Sequence, residues 1–176
     1  MAEHYINTSD FPAAALKIKA GDKVYLSGTV YTARDAAHKR IIELINSGQP
    51  LPFFIKNSTV YYAGPTPAPN NLAIGSCGPT TSSRMDSYSP NLLDLGQICM
   101  IGKGPRNKAV YDAIVRNKAV YLCAIGGAGA LAAKCIKSCE VIAFDDLGCE
   151  SVKKLEFMNF PLIAAIDSNG NNLFKI

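Results

Sequence analysis

Residues 21–48, GDKVYLSGTVYTARDAAHKRIIELINSG, carry the reading that decides the fold. Gly21-Asp22 makes a turn, and Val24, Leu26 and Val30 then alternate with polar neighbours, as one buried face of a strand does. From Arg34 to Asn46 the period changes. Ala37, Ile41, Leu44 and Ile45 recur at helical spacing until Ser47-Gly48 ends the run. A strand that turns directly into an amphipathic helix is the building unit of an α/β protein.

The same alternation continues outward. Thr59 to Ala63 reads as a strand, Gly64 to Asn71 as a loop too rich in proline for helix or central strand, and Leu72 to Ile74 as a short strand. Helix is predicted from Ser82 to about Tyr88 and from Asn91 to Leu95. Strand follows at Ile98 to Ile101, helix at Asn107 to Arg116, strand at Ala119 to Ile125, helix at Gly129 to Ser138 and strand at Val141 to Phe144. Strands at Leu155 to Phe157 and Leu162 to Ile166 lead through the turn Asp167–Gly170 into Leu173–Lys175. No repeat and no linker divides the chain. The expectation is an α/β fold of mixed sheets with flanking helices, in which residues 1–176 form a single domain.

Composition removes several function classes. Of 176 residues, 48% are hydrophobic and 18% charged, which is globular rather than disordered. The net charge of +4 is spread along the chain with no basic stripe, which argues against nucleic acid. The longest apolar stretch, Ala119 to Ala133, is broken by three glycines and too short to span a membrane. The opening Met-Ala-Glu-His-Tyr lacks the basic and apolar regions of a secretory signal, so a cytoplasmic protein is expected. Six cysteines stand at 77, 99, 123, 135, 139 and 149, none in C-x-x-C spacing, beside only two histidines. Cys135 and Cys139 fall four apart on the expected helix, but two ligands make no metal site. The thiols read as reduced and mostly buried.

Gly127, Gly129 and Ala132 match the G-x-G-x-x-A dinucleotide fingerprint, with Asp145 and Asp146 about twenty residues on. Too little chain follows for a doubly wound unit, so these glycines are expected to serve close packing instead.

The chemistry gathers elsewhere. Gly78-Pro79-Thr80-Thr81-Ser82-Ser83-Arg84-Met85-Asp86 joins a turn to a hydroxyl-rich helix start, where free N–H groups attract anions and Arg84 can fork onto a carboxylate or phosphate. Arg34 stands at a strand-to-helix corner, followed by Asp35 and His38, and Lys103 lies between two glycines at another strand's end. Two arginines, a lysine and a hydroxyl-rich helix start, all at ends of elements, point to a dianionic substrate in which each carboxylate needs one forked partner. No nucleophile elbow, P-loop or catalytic triad is visible.

Six segments then carry a family resemblance: Thr32-Ala-Arg-Asp-Ala-Ala-His38, Tyr62-Ala-Gly-Pro65, Gly78 to Asp86, Ile101-Gly-Lys-Gly104, Asp145-Asp-Leu-Gly148 and Phe160-Pro161. In this order the chain resembles the β subunit of two-subunit class I fumarate hydratases, equivalent to the C-terminal domain of single-chain class I fumarases. The L-tartrate dehydratase β subunit is a close cousin. The resemblance implies a swivelling β/β/α domain and a hydro-lyase that interconverts L-malate and fumarate. It also implies a 4Fe–4S cluster ligated by a partner α subunit, with no metal ligand on this chain. The partner would be a fumarase α subunit in an α/β hetero-oligomer, while the isolated chain would self-associate through its partner-facing surface. Residue by residue, Arg34 would grip one carboxylate of a small dicarboxylate, Arg84 and Lys103 the other end, and Thr80 would be the catalytic base. Asp35, His38 and Thr81 would support them. Two alternatives stand beside this reading: an L-tartrate dehydratase β subunit and, from another class, a non-catalytic swivelling or anion-binding module.

Overall fold

The computed structural model describes residues 1–125 and 128–174. In chain order it contains β1 (Glu3–Asn7), α1 (Phe11–Ala14), β2 (Lys23–Thr32), α2 (Asp35–Asn46), β3 (Thr59–Tyr61), α3 (Ser89–Asp94) and β4 (Cys99–Gly102). There follow α4 (Lys108–Arg116), β5 (Val120–Cys123), α5 (Gly129–Lys134), β6 (Ile136–Ala143) and β7 (Val152–Ile166). Short 3-10 segments occupy Thr8–Asp10, Ser82–Met85 and Asp145–Glu150, the last kinked at Gly148. Among the described residues no helix is long and apolar enough to cross a membrane.

All seven strands form one mixed sheet in the order β1-β2-β3-β4-β5-β7-β6. The first five pair in parallel, whereas β7 runs antiparallel to β5, β6 and also β2. The second pairing closes β2, β3, β4, β5 and β7 into a five-stranded barrel-like sheet. Closure needs β7 to bend. The β2–β7 register slips between Leu26 and Gly28, where Gly28 takes φ +101° and Asn159 on the facing strand takes φ +48°. Asn159 N–H donates to Ser27 Oγ at 2.9 Å across that bulge.

Strands β3 to β5 are buried on both faces, which is why they read as continuous apolar runs. Tyr61, Ile101 and Leu122 join Leu26, Phe157 and Phe160 in one core, where the two phenylalanine rings stack 4.3 Å apart. Val60, Met100 and Tyr121 face the other way, onto Ala37 and Ile41 of α2, Leu92 and Leu93 of α3, and Val110 and Ile114 of α4. Each such fully buried large side chain stabilises the fold by about 2 kcal/mol.

The α/β class with a sheet and flanking helices agrees with the sequence reading, and several boundaries do not. Ile136 to Ser138 belongs to β6, because pairing with β7 overrides helical propensity there; Cys135 ends α5 and Cys139 lies on a strand. The two strands expected at 155–157 and 162–166 are one, since the chain passes Asn159 and Pro161 as a bend within β7. Leu72–Ile74 is not a strand: Thr66 pairs its backbone with Gly75 and Ser76 and folds the loop back on itself. The helix expected from Ser82 shrinks to a 3-10 turn ending at Met85. Of Leu173–Lys175, Leu173 is in a bend and Lys175 lies outside the described residues. Gly127 of the fingerprint also lies outside them, while Gly129 packs its backbone against Ser76 and Gly78, so Gly129 serves close approach.

Candidate functional site

The parallel strands β2, β3, β4 and β5 deliver their C-terminal ends to one rim of the sheet, and every cationic residue singled out in the sequence stands there or beside it. Arg34 follows β2 as the N-cap residue of α2, in extended conformation. Ala63 and Gly64 follow β3, and Lys103 follows β4. The loop at 79–82 threads between these ends. Pro79 bridges Ala63, Thr80 N–H donates to the Tyr62 carbonyl at 2.7 Å, and Thr81 bridges Lys103 in parallel register. Ser82 completes the clasp, its N–H donating to the Lys103 carbonyl at 3.0 Å and its Oγ accepting from Lys103 N–H at 3.0 Å. Gly102 is required by this packing, because a Cβ there would collide with Ser82 Oγ and Tyr62. Thr80, Thr81 and Lys103 are thereby fixed by backbone register.

The anion-attracting helix start does not form. Thr81 precedes a four-residue 3-10 turn and makes no side-chain cap bond. Cationic side chains, not a helix terminus, give the site its sign. Arg84 projects from that turn and meets Asp35 of α2, with NH2 3.1 Å from Oδ2. Arg34 NH2 stands 4.0 Å from the same oxygen, so the two guanidiniums converge on one carboxylate. Lys103 is exposed.

His38 lies one turn behind, fully buried between Tyr62 and Tyr88. Its Nδ1 is 2.9 Å from the Arg34 carbonyl, and since a carbonyl only accepts, Nδ1 carries the proton. Burial pushes the imidazole down to about 4, with the Arg34 carbonyl opposing and Arg106 assisting. It is a neutral support for the residue that begins α2.

Two residues that sequence reasoning missed complete the neighbourhood. Glu150, in the 3-10 turn that follows β6, places Oε1 3.4 Å from Arg34 Nε. Its only sequence signal is its position two residues after the Asp145–Gly148 segment. Arg106 is entirely buried and ties the loop from beneath: Nε donates to Asp86 at 2.6 Å, NH2 to Ser89 Oγ at 2.7 Å, and its guanidinium lies over the rings of Tyr62 and Tyr121. Asn107 N–H takes the other Asp86 oxygen at 2.8 Å.

The cysteines offer a poor donor set for a metal. Burial pushes the Cys77 thiol up to about 12 and also raises Cys99, Cys123 and Cys139, away from the thiolate that a ligand must be. Cys77 and Cys99 are buried, Cys123, Cys135 and Cys139 half-buried and Cys149 exposed. Among the described residues no three His, Cys, Asp or Glu side chains converge as a metal site.

Comparison with known proteins meets this geometry. The family described as fumarase C-terminus matches residues 3–176. Fumarate hydratase 2 of Leishmania major is 43% identical over 161 residues, covering 88% of this chain and 28% of the relative. Fumarate hydratase class I, anaerobic, of Escherichia coli K12 is 41% identical over 155 residues, covering 87% of this chain and 28% of the relative. The L(+)-tartrate dehydratase subunit beta of the same organism is 34% identical over 161 residues, covering 89% and 79%. The chain thus spans little more than a quarter of the fumarate hydratases it matches and most of the tartrate dehydratase subunit.

Proposed function

The chain belongs to the fumarase C-terminus family, and from that premise we propose that it is the β-type half of a hydro-lyase that interconverts L-malate and fumarate. The observation that carries this reading is the convergence of Arg34 and Arg84 on the Asp35 carboxylate. A site that already draws two guanidiniums to one carboxylate at its rim is built for carboxylate ligands.

In the proposed reaction Arg34 takes one substrate carboxylate, and Arg84 and Lys103 take the other end. Thr80 Oγ1 accepts the proton from the carbon next to the departing hydroxyl. A threonine hydroxyl is a poor base in water, so the nearby cations must stabilise its alkoxide character. Negative charge grows on the carboxylate beside that carbon, and forked arginines therefore bind the transition state more strongly than the substrate. Asp35 spaces the two arginines, His38 fixes the carbonyl of Arg34, and Thr81 registers Lys103.

A 4Fe–4S cluster, which when bound would act as Lewis acid on the departing hydroxyl, does not fit the donors of this chain. Its thiols are held toward the protonated form, so the proposal assigns the cluster to an α-type partner in a hetero-oligomer. The exposed side chains of Tyr5, Ile125, Leu131 and Met158 support a partner-facing surface through which the chain alone would self-associate. Residues 1–176 are proposed to act as one swivelling β/β/α domain, which is supported by the single sheet that runs from Glu3 to Ile166.

L-Tartrate is the second substrate to test, because a relative of matching length is a tartrate dehydratase subunit. Anaerobic co-expression with a cluster-bearing α-type partner, followed by ultraviolet detection of fumarate from L-malate, tests the proposal. Activity that needs both chains is expected. Activity with tartrate alone would change the substrate and keep the chemistry. An intact cluster-bearing complex inert to both would favour a non-catalytic anion-binding module.

A further inference from the structure

A guanidinium on a long flexible stem grips a carboxylate well only if its fork is held before the ligand arrives. Taking Arg34 as the carboxylate-gripping residue proposed above, on which this inference rests, the structure provides two holds. Gly64 presents bare backbone: a Cβ there would lie 2.8 Å from Arg34 NH1 and 3.1 Å from its Cδ. On the opposite edge Glu150 Oε1 stands 3.4 Å from Nε as an ion pair, and both atoms are buried without a hydrogen-bond partner among the described residues.

The turn that carries Glu150 is held from two directions. The Lys153 ammonium donates to the carbonyls of Gly148 at 3.1 Å and Cys149 at 3.2 Å and to Ser151 Oγ at 2.6 Å, closing the turn around it. Thr32 Oγ1 donates to the Ser151 carbonyl at 3.3 Å and accepts from Lys153 N–H at 3.0 Å. Thr32 ends the strand that delivers Arg34 two residues later. One hydroxyl therefore stitches the element carrying the arginine to the element carrying the carboxylate.

We propose that Glu150 is the positioning residue of Arg34: it holds the Nε edge of the guanidinium and leaves the terminal amino groups to the substrate, while Lys153 and Thr32 set the distance. Asp35 cannot fill this role. It reaches Arg34 only at 4.0 Å and stands closer, at 3.1 Å, to Arg84. Glu150 pairs with Arg34 alone among the described residues. The 3.4 Å contact is longer than a well-formed charged hydrogen bond, so it orients the fork as an ion pair.

Two measurements test this. The first follows the Arg34 Nε–H by nitrogen-15 NMR of the full chain, in the wild type, Glu150→Gln and Glu150→Ala, with the surface change Asp112→Asn as control. Exchange of that proton with solvent should be slow in the wild type and control, faster in Glu150→Gln and fastest in Glu150→Ala. The second measures turnover of the assembled complex. Glu150→Ala should lower kcat/KM on the order of a hundredfold through misplacement of the fork, mostly as a rise in KM, with Glu150→Gln between. In the Arg34→Ala background the Glu150 changes should add less than about twofold, the mark of a residue that acts through its partner. Unaltered Arg34 exchange in both Glu150 variants, or losses that add fully to those of Arg34→Ala, would overturn the assignment. A wild-type complex without hydro-lyase activity would instead remove the functional reading, and the exchange rates would still decide whether Glu150 positions Arg34.

Discussion

Asp35 sits between two arginines where a ligand carboxylate would be expected, and the individual residues around it yield the sharpest predictions. Arg34→Ala or Arg84→Ala should cut turnover by about a thousandfold, as loss of an electrostatic contact made mainly in the transition state does. The complex should still assemble, as size-exclusion chromatography would show; unaltered turnover in either variant removes that residue from the site. His38 gives a pH signature. Its folded value of about 4 lies below the ordinary 6.5, so folding favours the neutral ring. This contribution is complete above about pH 6.5 and is lost as pH falls toward 4, amounting to about 3 kcal/mol. Urea unfolding at pH 7 and pH 4.5 should show a smaller loss in His38→Gln than in the wild type, and equal losses would place the titration elsewhere. Arg34, Arg84 and Lys103 were legible in the sequence because charge at an element boundary is a local property. The partnership of Arg34 with Glu150 was not, since it depends on how the turn after β6 folds back over β2.

At the scale of elements, the sequence of the segment from Gly78 to Asp86 shows its chemistry but not its form. Thr and Ser before an apolar position suggested a capped helix, yet the backbone of residues 79–82 is claimed by the ends of β3 and β4. Local capping preference lost to sheet pairing that no short window of sequence contains. What anchors the segment is the buried Arg106–Asp86 pair, with Asp86 accepting from Asn107 N–H as well. Asp86→Ala would leave the Arg106 guanidinium buried without its counter-ion, costing about 3–5 kcal/mol. Chemical denaturation should show this loss, and Asp86→Ala combined with Arg106→Met should recover much of it. A single variant that unfolds within about 1 kcal/mol of the wild type would contradict the anchoring role. Strands β3 to β5 and helices α2 and α4 were read nearly to their ends because their apolar periods are strong. The boundary between α5 and β6 and the bend in β7 were missed, since each is set by a partner strand distant in sequence.

For the molecule as a whole, the sequence carried the α/β class but not the closure of five strands by the β2–β7 pairing, which depends on Gly28 and Asn159 together. That closed sheet is the frame that sets Arg34, Thr80 and Lys103 on one rim, and among the described residues it brings no three His, Cys, Asp or Glu side chains together as a metal site. After anaerobic treatment with iron and sulfide, the isolated chain should therefore show no iron–sulfur absorbance. A stoichiometric cluster on this chain alone would overturn the division of labour. On the proposed function, this chain supplies the base and the carboxylate grip to a cluster-bearing partner. The most direct measurement incubates L-malate in deuterium oxide with the assembled complex and follows deuterium entering the carbon beside the carbinol by NMR. Wild type and Thr80→Val, which keeps the shape and deletes the hydroxyl, are compared at saturating substrate. Rapid exchange is expected in the wild type, and in Thr80→Val loss of exchange with dicarboxylate binding retained. Exchange in Thr80→Val at the wild-type rate would contradict it and place the base elsewhere.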